Sequence, residues 1–461
     1  MRRNGWLIWS VLVFAYAINF FHSLSMGVVK EDLMEEFQMS ETSFISIGNM
    51  YANLYLIMQI PAGLLADWLG PRKTASAGMF LATVGVILFG AAPSAGLLYV
   101  GRSLVGLGTS VLFVCILKIQ ASWFPEPMFG TLTGWTCFIG TMGGAFAQTP
   151  LAVLTAAVGW RMAFLGVGVM SLAVTASIVL IVRDVPGDAL QDALQLEAGR
   201  PVQKGLAAGA ADLRTAERGA EASGSGTESL SARLRGAAGV LKNPRTWPIF
   251  FTYASFYGSF VVLMGYYGTS FITEVYGMST VTASLFTTAG VVGSAVGAAV
   301  IGSLSDRMRS RKKPAVWAGA GYLACWAVLT ALAGKIPGAA LGPLFFITGF
   351  LSYAYVVSWP AAREVNDPKV MGVAASVTNM GGFMGSIFIP ICAGRVFTSE
   401  GGVSSNIYGS MFLLVTAFVA AGLFSALLMK ETGCRNCWME SGDDSGKVLR
   451  ERELSDPSAL R

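Results

Sequence analysis

The sequence predicts an all-α membrane protein: twelve transmembrane helices in two pseudo-symmetric six-helix bundles. Three observations predict it. The 461 residues are 54% hydrophobic and only 13% charged, against roughly 25% charge in a soluble domain. Twelve apolar stretches lie near 6–28, 42–66, 74–92, 96–121, 128–157, 162–182, 246–272, 279–304, 315–334, 339–361, 370–396 and 406–430, each near the ~20 residues a helix needs to cross a bilayer. One short motif also occurs twice, once per half, where an apolar stretch meets a basic loop. Hydrocarbon offers backbone amides no water, so the stretches are expected to be helical.

The first stretch follows Arg2 and Arg3 and passes Ala15-Tyr16-Ala17, a small-residue pattern suited to signal cleavage. Cleavage would leave eleven spans and upset the charge asymmetry described below, so a retained span is expected. Asn19 and the only histidine, His22, are three residues apart and share a face. A histidine there suits a proton carrier or a hydrogen-bonded structural group; both stay open. The second stretch carries Tyr51, Tyr55 and Gln59 on one face and Asn49 and Asn53 on another. The fourth holds Arg102 and, sixteen residues on, Lys118. Ionisable groups at membrane depth are costly and therefore functional candidates. Arg102 is such a candidate, or an arginine that snorkels outward or is capped by carbonyls. Lys118 either snorkels to the surface or offers an anion-binding charge.

The fifth stretch contributes Trp135 beside Thr136. Residues 184–245 link the halves, rich in Ala, Gly and Glu, and are expected to be mostly disordered. The end of the linker, 230–242, mixes apolar and basic residues and is expected to lie along the membrane surface before Pro244. The seventh stretch shows Tyr253, Tyr257, Phe260, Met264 and Tyr267 at helical spacing. Tyr355 and Trp359 lie four apart in the tenth stretch, and Asn379 precedes two glycines in the eleventh. Such aromatic stripes serve as packing surface or as a substrate lining. The expected domains are 1–183, linker 184–245, 246–430 and a polar, disordered tail 431–461. Cys434-Arg-Asn-Cys437 in that tail lacks the second ligand pair of a zinc site.

The repeated motif is Gly63-Leu-Leu-Ala-Asp67-Trp-Leu-Gly70-Pro-Arg72-Lys73, answered by Gly302-Ser-Leu-Ser-Asp306-Arg-Met-Arg-Ser-Arg311-Lys312. The Gly, the Leu at +2, the Asp at +4 and the basic pair all recur. A second match, Gly130 after Pro125-Glu126-Pro127 and Gly372 after Asn366-Asp367-Pro368, has nearly the same offset. A carboxylate favours the positive end of a facing helix, and the fifth and eleventh stretches begin on the side where the motif lies. Asp67 and Asp306 are therefore candidate gates, with Arg72, Lys73, Arg311 and Lys312 as partners. The plainer alternative is a tight basic turn that sets topology.

Loop charge orients the chain. Arg2, Arg3, Arg72, Lys73, Arg307, Arg309, Arg311, Lys312, Lys313, Arg363 and Lys369 fall on one side, and only Lys30, Arg161, Lys335 and Arg395 on the other. Positive residues stay inside, so both termini are expected in the cytoplasm. This accounts for the net charge of +5 without nucleic acid.

Residues 63–73 resemble the loop 2–3 signature of the major facilitator superfamily, with Trp68 and Pro71 replacing two usual basic residues. Leu98-x-x-x-Arg102-x-x-x-Gly106-x-Gly108 resembles its fourth-helix motif, with Val105 where Gln is common. Trp123-Phe124-Pro125 and Gly159-Trp160-Arg161 look like its organic-anion and sugar-phosphate-type branches. The resemblance implies a secondary transporter of the bacterial inner membrane working by alternating access. It also implies that Asp67 and Asp306 stabilise the outward-open state and that Arg102 serves coupling or holds helices together. Mid-helix Asp and Glu are missing, and Gly140 to Pro150 fits the drug-exporter helix 5 series poorly. Proton symport of a small, possibly anionic metabolite is therefore expected; efflux or exchange is the alternative. His22 and Arg102 are the coupling candidates, and Asn19, Tyr51, Tyr55, Lys118, Trp135, Tyr257, Tyr355, Trp359 and Asn379 the substrate-binding candidates. One histidine and no HExxH or Gly-x-Ser-x-Gly point away from an enzyme, and no cofactor or metal is expected. The bilayer and the substrate are the expected partners, for a monomer.

Overall fold

The structure, a computed structural model, describes residues 2–147, 149–185, 236, 238–399 and 405–438. Most of the linker and most of the tail, with the expectations placed on them, lie outside the described residues. Counting each broken helix once, twelve helices cross: α1 (Arg2–Leu24), α2 (Glu41–Ile57 and Gln59–Leu69), α3 (Pro71–Gly90), α4 (Ala95–Trp123), α5 (Phe129–Phe146 and Thr149–Val158) and α6 (Trp160–Ile181) in the first half. The second half holds α7 (Thr246–Tyr276), α8 (Thr280–Arg307), α9 (Lys312–Ala331), α10 (Gly338–Val365), α11 (Met371–Ser399) and α12 (Ser405–Leu428).

Eleven of these are long and apolar enough to cross a membrane by themselves. The twelfth, α2, is divided at Met58, three residues before Pro61, so neither piece is membrane-length. Proline has no amide for the helical ladder and breaks or kinks it. Other interruptions sit at mid-depth: a π-helical turn at Val262–Tyr267 in α7 and a 3₁₀ turn at Tyr353–Val357 in α10. Interruptions of that kind are frequent at functional positions, and both fall next to the aromatic residues described below.

The ends of α2, α4, α8 and α10 and the starts of α3, α5, α9 and α11 define one face of the molecule, here the latch side. Gly70 (φ +82) supplies the left-handed residue between α2 and α3, and Pro71 opens α3 at its first position. The two bundles touch most closely on this side. A Cβ on Gly302 would lie 2.3 Å from the Gly130 carbonyl oxygen, and one on Gly63 2.7 Å from that of Gly372. Only glycine allows backbones to approach so closely.

Two segments near the bundles depart from expectation. Helical residues 238–242 dock through buried Val240 onto Phe250, Val373 and Val377. Glu431–Trp438, expected to be disordered tail, folds against the latch side, with Thr432, Cys434 and Cys437 buried.

Candidate functional site

Between the bundles lies a wall of buried polar and aromatic side chains from α1, α2, α4, α7, α10 and α11. Tyr51 donates to Asn19 Oδ1 (2.5 Å), and its ring lies 5.1 Å beneath the Arg102 guanidinium. Arg102 is buried and donates from Nη1 to the His22 carbonyl oxygen (2.8 Å), while its Nε has no acceptor. Among the described residues no carboxylate pairs with it. A buried cation without a counter-charge is costly, and such sites mark the paths of ions and substrates. His22 is buried beside the Phe21 ring, with Nε2 unsatisfied.

An aromatic chain crosses from one bundle to the other. Tyr16 stacks on Phe113 (5.1 Å), Phe113 meets Trp359 (4.7 Å), and Trp359 meets Tyr253 (5.0 Å). Tyr253 stacks on Tyr355 (4.6 Å), which Tyr257 approaches edge-on at 5.5 Å. On the other flank Tyr51 leads to Tyr55 (5.9 Å) and Tyr55 to Phe383 (5.0 Å). Below these rings Asn379 Nδ2 donates to Gln59 Oε1 across the interface (2.8 Å). Trp359 Nε1 is buried without an acceptor. The wall thus offers one fixed positive charge, unsatisfied donors and flat apolar faces, a combination suited to a small polar anion.

The structure brings Asn19, Tyr51, Tyr55, Tyr257, Tyr355, Trp359, Asn379, His22 and Arg102 to this wall. Two candidates are placed elsewhere. Trp135 is 45% exposed on the outer face of α5, where its ring meets Phe138. Lys118 turns to the latch side and donates to Asp67 Oδ1 (2.7 Å) and to the Ala66 carbonyl (2.9 Å). It lies at the end of α4, beyond the wall, and the nearest carboxylate claims it. Sequence reasoning passed over Phe113, which only tertiary packing distinguishes from the other residues of its helix face.

The latch side holds two symmetric clasps. Asp67 accepts from the amides of Gly372 and Val373 at the start of α11, each at 3.0 Å. Asp306 accepts from Gly130 (3.1 Å) and Thr131 at the start of α5. Both carboxylates therefore close on the free amides and positive dipole of a helix from the opposite bundle. Cross-bundle hydrogen bonds among the described residues concentrate here, joined by Glu126 and Arg363 (3.5 Å).

The basic partners differ from expectation. Arg72 does not reach Asp67: its amide donates to Asp184 (2.6 Å) and its guanidinium to the Val179 carbonyl (2.6 Å). Arg311 does reach Asp306 (2.6 Å), and its other nitrogens hold Glu364 at 2.8 and 2.9 Å. The acid after α6 and the acid after α12 play matching parts, since Glu431 accepts from the Arg311 amide (3.0 Å) as Asp184 does from Arg72.

Comparison with known proteins follows this geometry. Residues 11–390 match the Major Facilitator Superfamily. The chain belongs to that superfamily and is a multi-pass membrane transport protein. It is 24% identical over 431 residues to the probable sulfoacetate transporter SauU of Cupriavidus necator, covering 92% of this chain and 93% of that one. It is 21% identical to a D-galactonate transporter of Escherichia coli O6:H1, covering 90% and 94%, and 28% identical to the probable L-galactonate transporter of Escherichia coli K12 over 35% and 36%. Among solved structures, the proton:xylose symporter XylE bound to 6-bromo-6-deoxy-D-glucose superposes with a TM-score of 0.69 at 15% identity, covering 94% and 97%. The helical architecture expected from sequence is therefore this superfamily's fold.

Proposed function

We propose that the protein is a secondary active transporter that moves a small organic anion by alternating access, coupled to proton symport. The observation that carries this reading is Arg102: a buried cation without a carboxylate partner, set among hydrogen-bonding and aromatic side chains between two movable bundles. A carboxylate or sulfonate would supply the missing charge, and Asn19, Tyr51, Gln59 and Asn379 can bind hydroxyls. The similar proteins named for sulfoacetate and galactonate carry such groups. His22, whose carbonyl holds Arg102, is the group we assign to proton coupling. The loop-charge asymmetry supports a latch side and both termini that face the cytoplasm, and we assign the protein to a bacterial inner membrane. The latched state is then outward-facing, and the unit is a monomer.

The test is uptake of labelled galactonate, glucarate and sulfoacetate into proteoliposomes with and without an inward proton gradient. Symport predicts gradient-driven accumulation of at least one anion. Equal uptake in both conditions, with counterflow, would favour exchange instead. Arg102→Gln is expected to lower uptake roughly a hundredfold, about 2.7 kcal/mol of lost stabilisation, without lowering Tm, because it removes an uncompensated buried charge. A Tm that falls in step with uptake would make Arg102 structural.

A further inference from the structure

The segment after α12 is packed more tightly than a tether needs. Glu431 caps the start of α9, accepting from Ser310 Oγ and from the Arg311 amide. Thr432 Oγ1 donates to Glu364, the same carboxylate that holds Arg311. Asn436 Nδ2 donates to the carbonyls of Arg363 (3.0 Å) and Asn366 (3.2 Å), and the Cys437 amide to that of Glu364 (2.7 Å). These are the carbonyls left open where α10 ends. The segment therefore straps α9 to α10 across the buried Arg311.

Its two cysteines are buried thiols, not joined in a disulfide. Gly433 and Cys434, both at positive φ (+62 and +60), form the turn that seats the strap. That turn directs Cys434 Sγ at the Ser305 carbonyl near the end of α8 (3.9 Å), beside the clasp. Cys437 Sγ instead faces the strap's own Thr432 and Arg435 carbonyls (3.7 and 3.5 Å). The docked strap holds the sulfurs against different groups, whereas a disulfide needs them ~2.05 Å apart. Closing the bond therefore moves at least one sulfur out of the groups it now faces.

We propose that Cys434 and Cys437 form a disulfide-exchange site whose oxidation releases the strap Thr432–Trp438 and loosens the clasp of the second half. The oxidant is a disulfide of the glutathione or thioredoxin class. One cysteine thiolate attacks it to give a mixed disulfide, and the second cysteine displaces the remaining thiol. The two cysteines together lose two protons and two electrons, and the incoming disulfide leaves as two thiols. While the strap is docked, burial pushes the Cys434 thiol up to about 11 despite the nearby Arg311, and only the thiolate reacts. Exchange therefore proceeds from the undocked strap, and coupling is reciprocal: whatever opens the latch side speeds oxidation, and oxidation favours opening.

The test uses the full chain in proteoliposomes, treated with glutathione disulfide or with dithiothreitol. Peptide mass mapping is expected to find a Cys434–Cys437 bond after oxidation. Spin labels at Lys73→Cys and Lys313→Cys, attached before oxidation, are expected to show the latch-open population rising roughly threefold. Cys434→Ser and Cys437→Ser should each abolish the response while keeping the reduced distance distribution. Asp67→Asn should speed oxidation. Absence of the bond, an unchanged distance distribution in the oxidised protein, or a response that persists in Cys434→Ser would each overturn the proposal. None of these readouts depends on the cargo.

Discussion

The two clasps share a backbone plan and differ in what stands behind it. In each, an aspartate at the end of one helix closes on the first amides of a helix in the opposite bundle. Behind Asp67 stands Lys118, 20% exposed and held by a single carboxylate. Behind Asp306 stands Arg311, wholly buried and shared with Glu364, and the strap covers it. The first is an ion pair touched by solvent; the second is a buried network in which removal of one member strands the others. A repeated motif thus fixes the geometry of both halves, and each half supplies its own electrostatics.

The difference can be broken in graded steps. Arg311→Ala leaves Asp306 and Glu364 buried without the cation that bonds them both, so a loss of about 3–5 kcal/mol is expected. Chemical denaturation in detergent would measure it, and a loss no larger than that of Lys118→Ala would erase the distinction. Gly302→Val places side-chain atoms on the Gly130 carbonyl and should drive α8 from α5, raising thiol accessibility on the latch side while folding is retained. Lys118→Ala removes a partly solvated pair and is expected to cost about 1 kcal/mol, a roughly fivefold shift toward the latch-open state. Lys118→Arg should restore most of it.

The smallest effect is the pH dependence of Glu431. Burial raises its carboxyl, but hydrogen bonds from Ser310 Oγ and the amides of Arg311, Gly433 and Thr432 win and hold it below the usual glutamate value. A depressed native value means that its contribution is complete above the ordinary glutamate range and is lost as pH falls through the native one. Strap docking, followed by the labelling rate of Cys434 relative to that of a free model thiol at the same pH, should be flat through neutral pH and loosen at the acid end. Glu431→Gln should remove that acid limb. A change centred near neutrality would assign the loosening to another group.

Much of this was legible in the chain. Hydrophobic length gave the helices, and the doubled Gly–Asp–basic motif, with matching helix starts at Gly130 and Gly372 on the same side, placed both clasps. Spacing also placed Tyr51 with Tyr55 and Tyr355 with Trp359, since residues four apart share a helical face. Spacing cannot say which neighbour a face meets. Trp135 therefore turned outward, Lys118 served the clasp rather than the wall between the bundles, and Arg72 paired with Asp184 instead of Asp67. The strap was invisible because its partners lie 68 to 129 positions away in sequence and its own residues read as polar tail.

The central claim is that the paired aspartates hold the latch side closed. Double electron–electron resonance between labels at Lys73→Cys and Lys313→Cys, with and without Asp67→Asn and Asp306→Asn together, tests it most directly. The account predicts a short, narrow distance distribution in the parent and a clear shift to longer distances in the double variant. Identical distributions in a folded double variant would contradict it.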